Sequence, residues 1–84
     1  MFIQAEVSLY PLGTANLDTA IGSFIDALSR PGVFVAPGNM STVVEGEMAD
    51  VFEALQAAMI AASEQDHVVM VLKMSNACPP RLDR

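Results

Sequence analysis

Residues 3–10, Ile-Gln-Ala-Glu-Val-Ser-Leu-Tyr, alternate strictly between apolar and polar. Ile3, Ala5, Val7 and Leu9 fall on one side; Gln4, Glu6, Ser8 and Tyr10 fall on the other. A period of two over eight residues specifies a strand with one face buried, because consecutive side chains leave a pleated backbone in opposite directions. Pro11 and Gly13 are expected to stop it. From Asn16 the period changes. Leu17, Ile21, Phe24 and Leu28 follow i, i+4, i+7 and i+11, the stripe of an amphipathic helix. Thr14 or Asn16 can cap this helix, Asp18 suits the positive end of its dipole, and Arg30-Pro31-Gly32 ends it. A strand that must bury one face, followed at once by a helix with one apolar stripe, calls for a layered fold.

The remainder supplies the layers. Val33–Ala36 and Met40–Glu45 are rich in β-branched residues and are separated by the turn cluster Pro37-Gly38-Asn39, so they read as a hairpin. Gly46 is expected to break the second of these strands. Glu47 and Asp50 place early negative charge on a second helix running to about Glu64. Its stripe is Val51, Leu55, Ala58 and Ala62, broadened by Phe52 and Met59. His67–Met74 is a nearly continuous apolar strand, and residues 76–84, with Pro79-Pro80, read as an irregular tail.

The order strand, helix, strand, strand, helix, strand is the ferredoxin-like βαββαβ pattern. The predicted class is α+β, with a four-stranded antiparallel sheet and both helices on one face. Residues 1–84 form a single domain in this reading. One sheet face stays open. Parity places Gln4, Glu6, Ser8, Tyr10, Ser41, Val43, Glu45, Val69, Val71 and Lys73 on it. Val68, Met70, Leu72 and Met74 go to the helix side. Valines and a tyrosine among a few polar groups suit self-association or a small ligand.

Composition narrows the function. Ten acidic residues against four basic ones give a net charge of −6, and 52% of the residues are hydrophobic. Nucleic-acid binding needs clustered Lys and Arg, which this chain lacks, and an anionic membrane surface would repel it. High hydrophobicity argues against disorder. The single cysteine, Cys78, excludes an internal disulfide and a cysteine-based zinc site. No basic segment precedes an apolar run at the N-terminus, and no apolar stretch approaches the roughly 20 residues of a membrane span, so a cytoplasmic protein is expected. No P-loop, HExxH or Ser-His-Asp order occurs. His67 reads as a surface residue, Cys78 as an inert thiol, and the six methionines mostly as core filling.

Three segments carry a resemblance. Ser8-Leu9-Tyr10-Pro11-Leu12-Gly13 is similar to the SLYPLG segment of the thiamine-binding, YkoF-like family. Residues 37–47 resemble that family's GPMGTTIEGE hairpin, with Asn39 and Ser41 standing where its pattern has Pro and Gly. Val51-Phe52-Glu53-Ala54 matches its VFEA helix start. The resemblance spans residues 3–75. It implies a ferredoxin-like fold, homodimers or homotetramers built through the open sheet face, and binding of thiamine or its hydroxymethylpyrimidine part. It implies no catalysis, and a role in vitamin handling, salvage or transport; no metal and no further cofactor are expected, since Glu45 and Glu47 have no third ligand at a recognisable spacing.

An aminopyrimidine offers an amino donor pair and ring-nitrogen acceptors, so its site needs acceptors, hydroxyls and flat apolar walls. Ser8, Tyr10, Met40, Ser41, Thr42 and Glu45 offer that set and are the candidate ligand-binding residues. Parity sends Ser41 and Thr42 to opposite faces, so one of the two is expected to line an open-face site. The alternative function is a structural or regulatory oligomerisation module without a small ligand.

Overall fold

A computed structural model describes residues 1–13, 16–64 and 66–77. The elements are β1 (Phe2–Leu12), α1 (Leu17–Leu28), β2 (Val33–Pro37), β3 (Thr42–Glu47), α2 (Met48–Ser63) and β4 (His67–Ser75). The sheet order is β2-β3-β1-β4, and every neighbouring pair is antiparallel. Each helix crosses over one intervening strand, α1 over β3 and α2 over β1. The expected ferredoxin-like α+β fold is the observed one. Position 14, one of the two expected caps of α1, and most of the tail, including Cys78, lie outside the described residues. No described helix is long and apolar enough to cross a membrane.

The register confirms the faces read from alternation. Ala5 stands between Val44 of β3 and Met74 of β4, and Val7 between Thr42 and Leu72. Their side therefore carries Ile3, Val44, Val68, Met70, Leu72 and Met74, and the helices lie over it. Phe24 and Leu28 of α1 and Val51, Ala54, Leu55, Ala58 and Ala62 of α2 complete the core. Burying a side chain such as Phe24 or Leu28 contributes about 1.5–3 kcal/mol. Asp18 and Asp50 occupy first helical turns as expected, and Asn16 is the N-cap of α1 but makes no side-chain capping bond. The turn between α1 and β2 is tied to α2 by Arg30 Nη1 and Glu53 Oε1 at 3.0 Å.

Four expectations are corrected. Gly46 does not break β3; it pairs with Ile3 on one side and Val33 on the other. A Cβ at Gly46 would sit 2.6 Å from the carbonyl oxygen of Gly32, so glycine serves a close backbone approach within the strand. Pro11 does not stop β1, which continues to Leu12. Beyond Val7 the strand pairs with β4 alone, and proline is tolerated on a strand with one side unpaired.

The helix stripes are narrower than their periodicity suggests. Leu17, Ile21, Phe52 and Met59 are exposed. A four-stranded sheet spans only the inner arc of each helix, which leaves the flanks of the stripes outside it. Finally, the methionines are not mostly core: Met1, Met40, Met48 and Met59 are exposed, and Met70 and Met74 are partly buried against the core.

Candidate functional site

The β2–β3 connection determines where a cavity forms. Gly38 N–H donates to the carbonyl of Ser41 at 2.9 Å, closing a tight turn that lifts Met40 into solvent. A Cβ on Gly38 would come within 2.9 Å of that same oxygen, so the turn needs glycine there. The ladder between β1 and β3 ends at Val7 and Thr42. Past that pair β1 and the turn enclose a gap, and Ile21, Phe24 and Ile25 of α1 floor it. The result is a cavity of about 160 Å³, lined also by Ser8, Asn39, Met40, Ser41 and Thr42.

Four of the six candidate residues thus meet at one place. Ser41 and Thr42 both line it, although they alternate, because the cavity lies at the end of the ladder, where both sides of the sheet open into the gap. Thr42 is only 7% exposed and is one of two buried polar side chains among the described residues. The other is Glu45, at 1%, which faces Gln4 and Phe34 across its two ladders. Gln4 and Ser8 are four residues apart on β1, which separates Glu45 from the cavity by about 13 Å along the sheet. Tyr10 lies on the open face opposite Val69, half exposed, and does not line the cavity. Ile21, Phe24, Ile25 and Asn39 were not singled out in advance. Ile21 and Phe24 belong to the helical stripe that reads as core, Ile25 lies beside it, and only the gap between β1 and the turn gives them a second role.

Two other concavities are present. A hollow of about 300 Å³ on the open face is lined by Gln4, Glu6, Val43, Lys73 and Ser75, together with Ala5 and Met74. Lys73 Nζ lies 3.6 Å from Glu6 Oε1 across it, an exposed pair. A third, about 350 Å³, lies between the start of α1 and the end of α2, with Asn16, Thr19, Ser23, Glu64 and Asp66 on its walls. Among the described residues no three His, Cys, Asp or Glu side chains are grouped to hold a metal ion. His67 is exposed opposite Leu12.

Comparison with known proteins agrees with this architecture. The model of the YkoF-related family matches residues 2–81. YkoF of Bacillus subtilis (strain 168), provisionally named an HMP/thiamine-binding protein, is 28% identical over 80 residues. That match covers 94% of this chain and 40% of YkoF, so the chain spans less than half the length of this relative. A hypothetical protein of Methanocaldococcus jannascii superposes with a TM-score of 0.78 at 27% identity, covering 95% of this chain and 84% of that one. A Thermotoga maritima protein, provisionally assigned to thiamine biosynthesis or salvage, shares the fold with a TM-score of 0.77 at 18% identity, over 88% of this chain and 82% of that one.

Proposed function

Given that this chain belongs to the YkoF-related family, we propose that it is a non-enzymatic carrier that binds the hydroxymethylpyrimidine part of thiamine in the cavity beside the β2–β3 turn. The observation that carries this reading is the meeting of Ser8, Met40, Ser41 and Thr42 around one small space. A cavity of about 160 Å³ suits a single substituted ring rather than two linked ones. The hydroxyls of Ser8, Ser41 and Thr42 donate to ring nitrogens or accept from the amino group, while Ile21, Phe24 and Ile25 provide apolar walls. Burial of Thr42 makes its hydroxyl the strongest of the three contributors, since a hydrogen bond in a poorly hydrated site competes less with water. With intact thiamine the thiazolium would project outward past Met40, where the net charge of −6 favours a cation.

The open sheet face supports a second element of the proposal, self-association. Tyr10, Val69 and Val71 adjoin one another across the β1–β4 ladder and are each about half exposed. A second copy, as homodimer or homotetramer, would cover them. The proposed role is vitamin handling, salvage or transport.

Calorimetric titration with hydroxymethylpyrimidine and with thiamine tests the ligand. Heat from both, with the pyrimidine alone retaining most of the binding free energy, is the expected outcome. No heat and no thermal shift at millimolar ligand would overturn it and leave the oligomerisation module as the better reading.

A further inference from the structure

The stretches of chain that enclose the cavity beside the β2–β3 turn carry charge of one sign only. Residues 7–9 of β1 and 38–42 of the turn and β3 have no ionisable side chain. The third wall, α1, carries Asp18 and Asp26 and no Lys, Arg or His. The basic groups among the described residues stand elsewhere. The Met1 ammonium lies 3.0 Å from Glu47 Oε1, Arg30 Nη1 3.0 Å from Glu53 Oε1, and Lys73 Nζ 3.6 Å from Glu6 Oε1. His67 is opposite Leu12, on the side of β1 away from the turn. Arg81 and Arg84 lie outside the described residues.

A helix N-terminus is the usual substitute for a basic side chain in holding a phosphate. This cavity does not meet one. It touches α1 at Ile21, Phe24 and Ile25, a full turn past the start of the helix. Asn16 and Thr19, at that start, line the third concavity instead. Within the turn, Gly38 N–H is already donated to the carbonyl of Ser41. The cavity therefore offers neutral hydroxyls and apolar walls beside a helix that carries only negative side-chain charge.

That distribution sorts one form of the ligand from another. Resting on the proposal that hydroxymethylpyrimidine occupies this cavity, we infer that the site takes the free alcohol and rejects its phosphate ester, for want of a cation at the mouth. The hydroxyl of the pyrimidine stands where thiamine has its thiazolium, so it points out past Met40. A phosphate there carries about −1.5 to −2 charges at pH 7. It loses hydration against Ile21, Phe24 and Ile25 without gaining a partner of opposite sign. The acids of α1 and the net charge of −6 add repulsion. In thiamine the esterifiable hydroxyl sits on the far arm of the thiazolium, out in solvent, where salt screens a phosphate. Discrimination is therefore large for the pyrimidine and small for thiamine.

Calorimetry on the full chain at physiological ionic strength tests this with four ligands: hydroxymethylpyrimidine, hydroxymethylpyrimidine phosphate, thiamine and thiamine monophosphate. The pyrimidine phosphate is expected to bind at least about tenfold more weakly than the alcohol, and thiamine monophosphate within about threefold of thiamine. Asn39→Lys sets an ammonium on the exposed rim of the cavity and should narrow the pyrimidine gap by about fivefold or more. Equal or tighter binding of the pyrimidine phosphate would overturn the inference while leaving the proposed ligand in place. So would a gap that Asn39→Lys leaves as wide, because shape rather than charge would then exclude the ester. No binding of the pyrimidine itself would overturn the underlying proposal, and this inference with it.

Discussion

The two halves of β1 obey the same alternation and do different things. From Gln4 to Val7 the strand lies between β3 and β4, and Ala5 and Val7 are almost wholly buried. From Ser8 to Leu12 it keeps β4 but loses β3, and there the proline, the exposed tyrosine and the cavity occur. A strand with partners on both sides has its backbone groups committed and its core face covered. A strand with one partner leaves a gap that the neighbouring turn and helix enclose without filling. Site formation here follows from where a ladder ends rather than from any unusual residue.

Substitutions can break that contrast, and the largest effect should come from the packed half. Gly46→Ala drives a Cβ into the carbonyl oxygen of Gly32, in the turn that leads into β2. A loss of about 3 kcal/mol is expected, seen as a melting temperature lower by roughly 12–24 °C. Val7→Ala, at the last residue before the ladder ends, should cost about 2 kcal/mol in denaturant unfolding, as buried methyl groups are lost. Beyond that point the effect should pass from stability to binding. Thr42→Val keeps the shape and removes a buried hydroxyl, so stability should change by less than about 1 kcal/mol. Affinity for hydroxymethylpyrimidine should fall about tenfold in calorimetry. Lys73→Gln in the open-face hollow should leave that affinity unchanged, and stability too, because an exposed ion pair contributes about 0–1 kcal/mol. If Lys73→Gln weakens binding while Thr42→Val does not, the site lies in the hollow instead.

The architecture was legible because two periods, 2.0 along residues 3–10 and 3.6 from Leu17, are local consequences of how strands and helices project side chains. Parity then placed Val69, Val71 and Lys73 on the open face and Met70 and Leu72 on the helix side, as observed. Periodicity could not show how far an element continues past a glycine or proline. Gly46 stays in β3 because a neighbouring backbone approaches it, and Pro11 stays in β1 because one side of the strand is vacant. Both reasons are tertiary. The candidate site was legible in residue type but not in grouping. Glu45 and Ser8 are both strand residues facing the same way, and only the register shows that they stand about 13 Å apart. The exposed flank of α2 was hidden for a similar cause. Phe52 and Met59 extend a buried stripe, and only the width of the sheet decides that they fall outside it.

Chemical-shift mapping of the isotopically labelled protein with hydroxymethylpyrimidine tests the central claim most directly, because it reports location as well as binding. The account predicts amide shifts concentrated at Val7–Leu9, at Ile21–Ile25 and at Gly38–Thr42. Shifts centred instead on Gln4, Glu6, Val43 and Lys73, or no shifts at millimolar ligand, would contradict it.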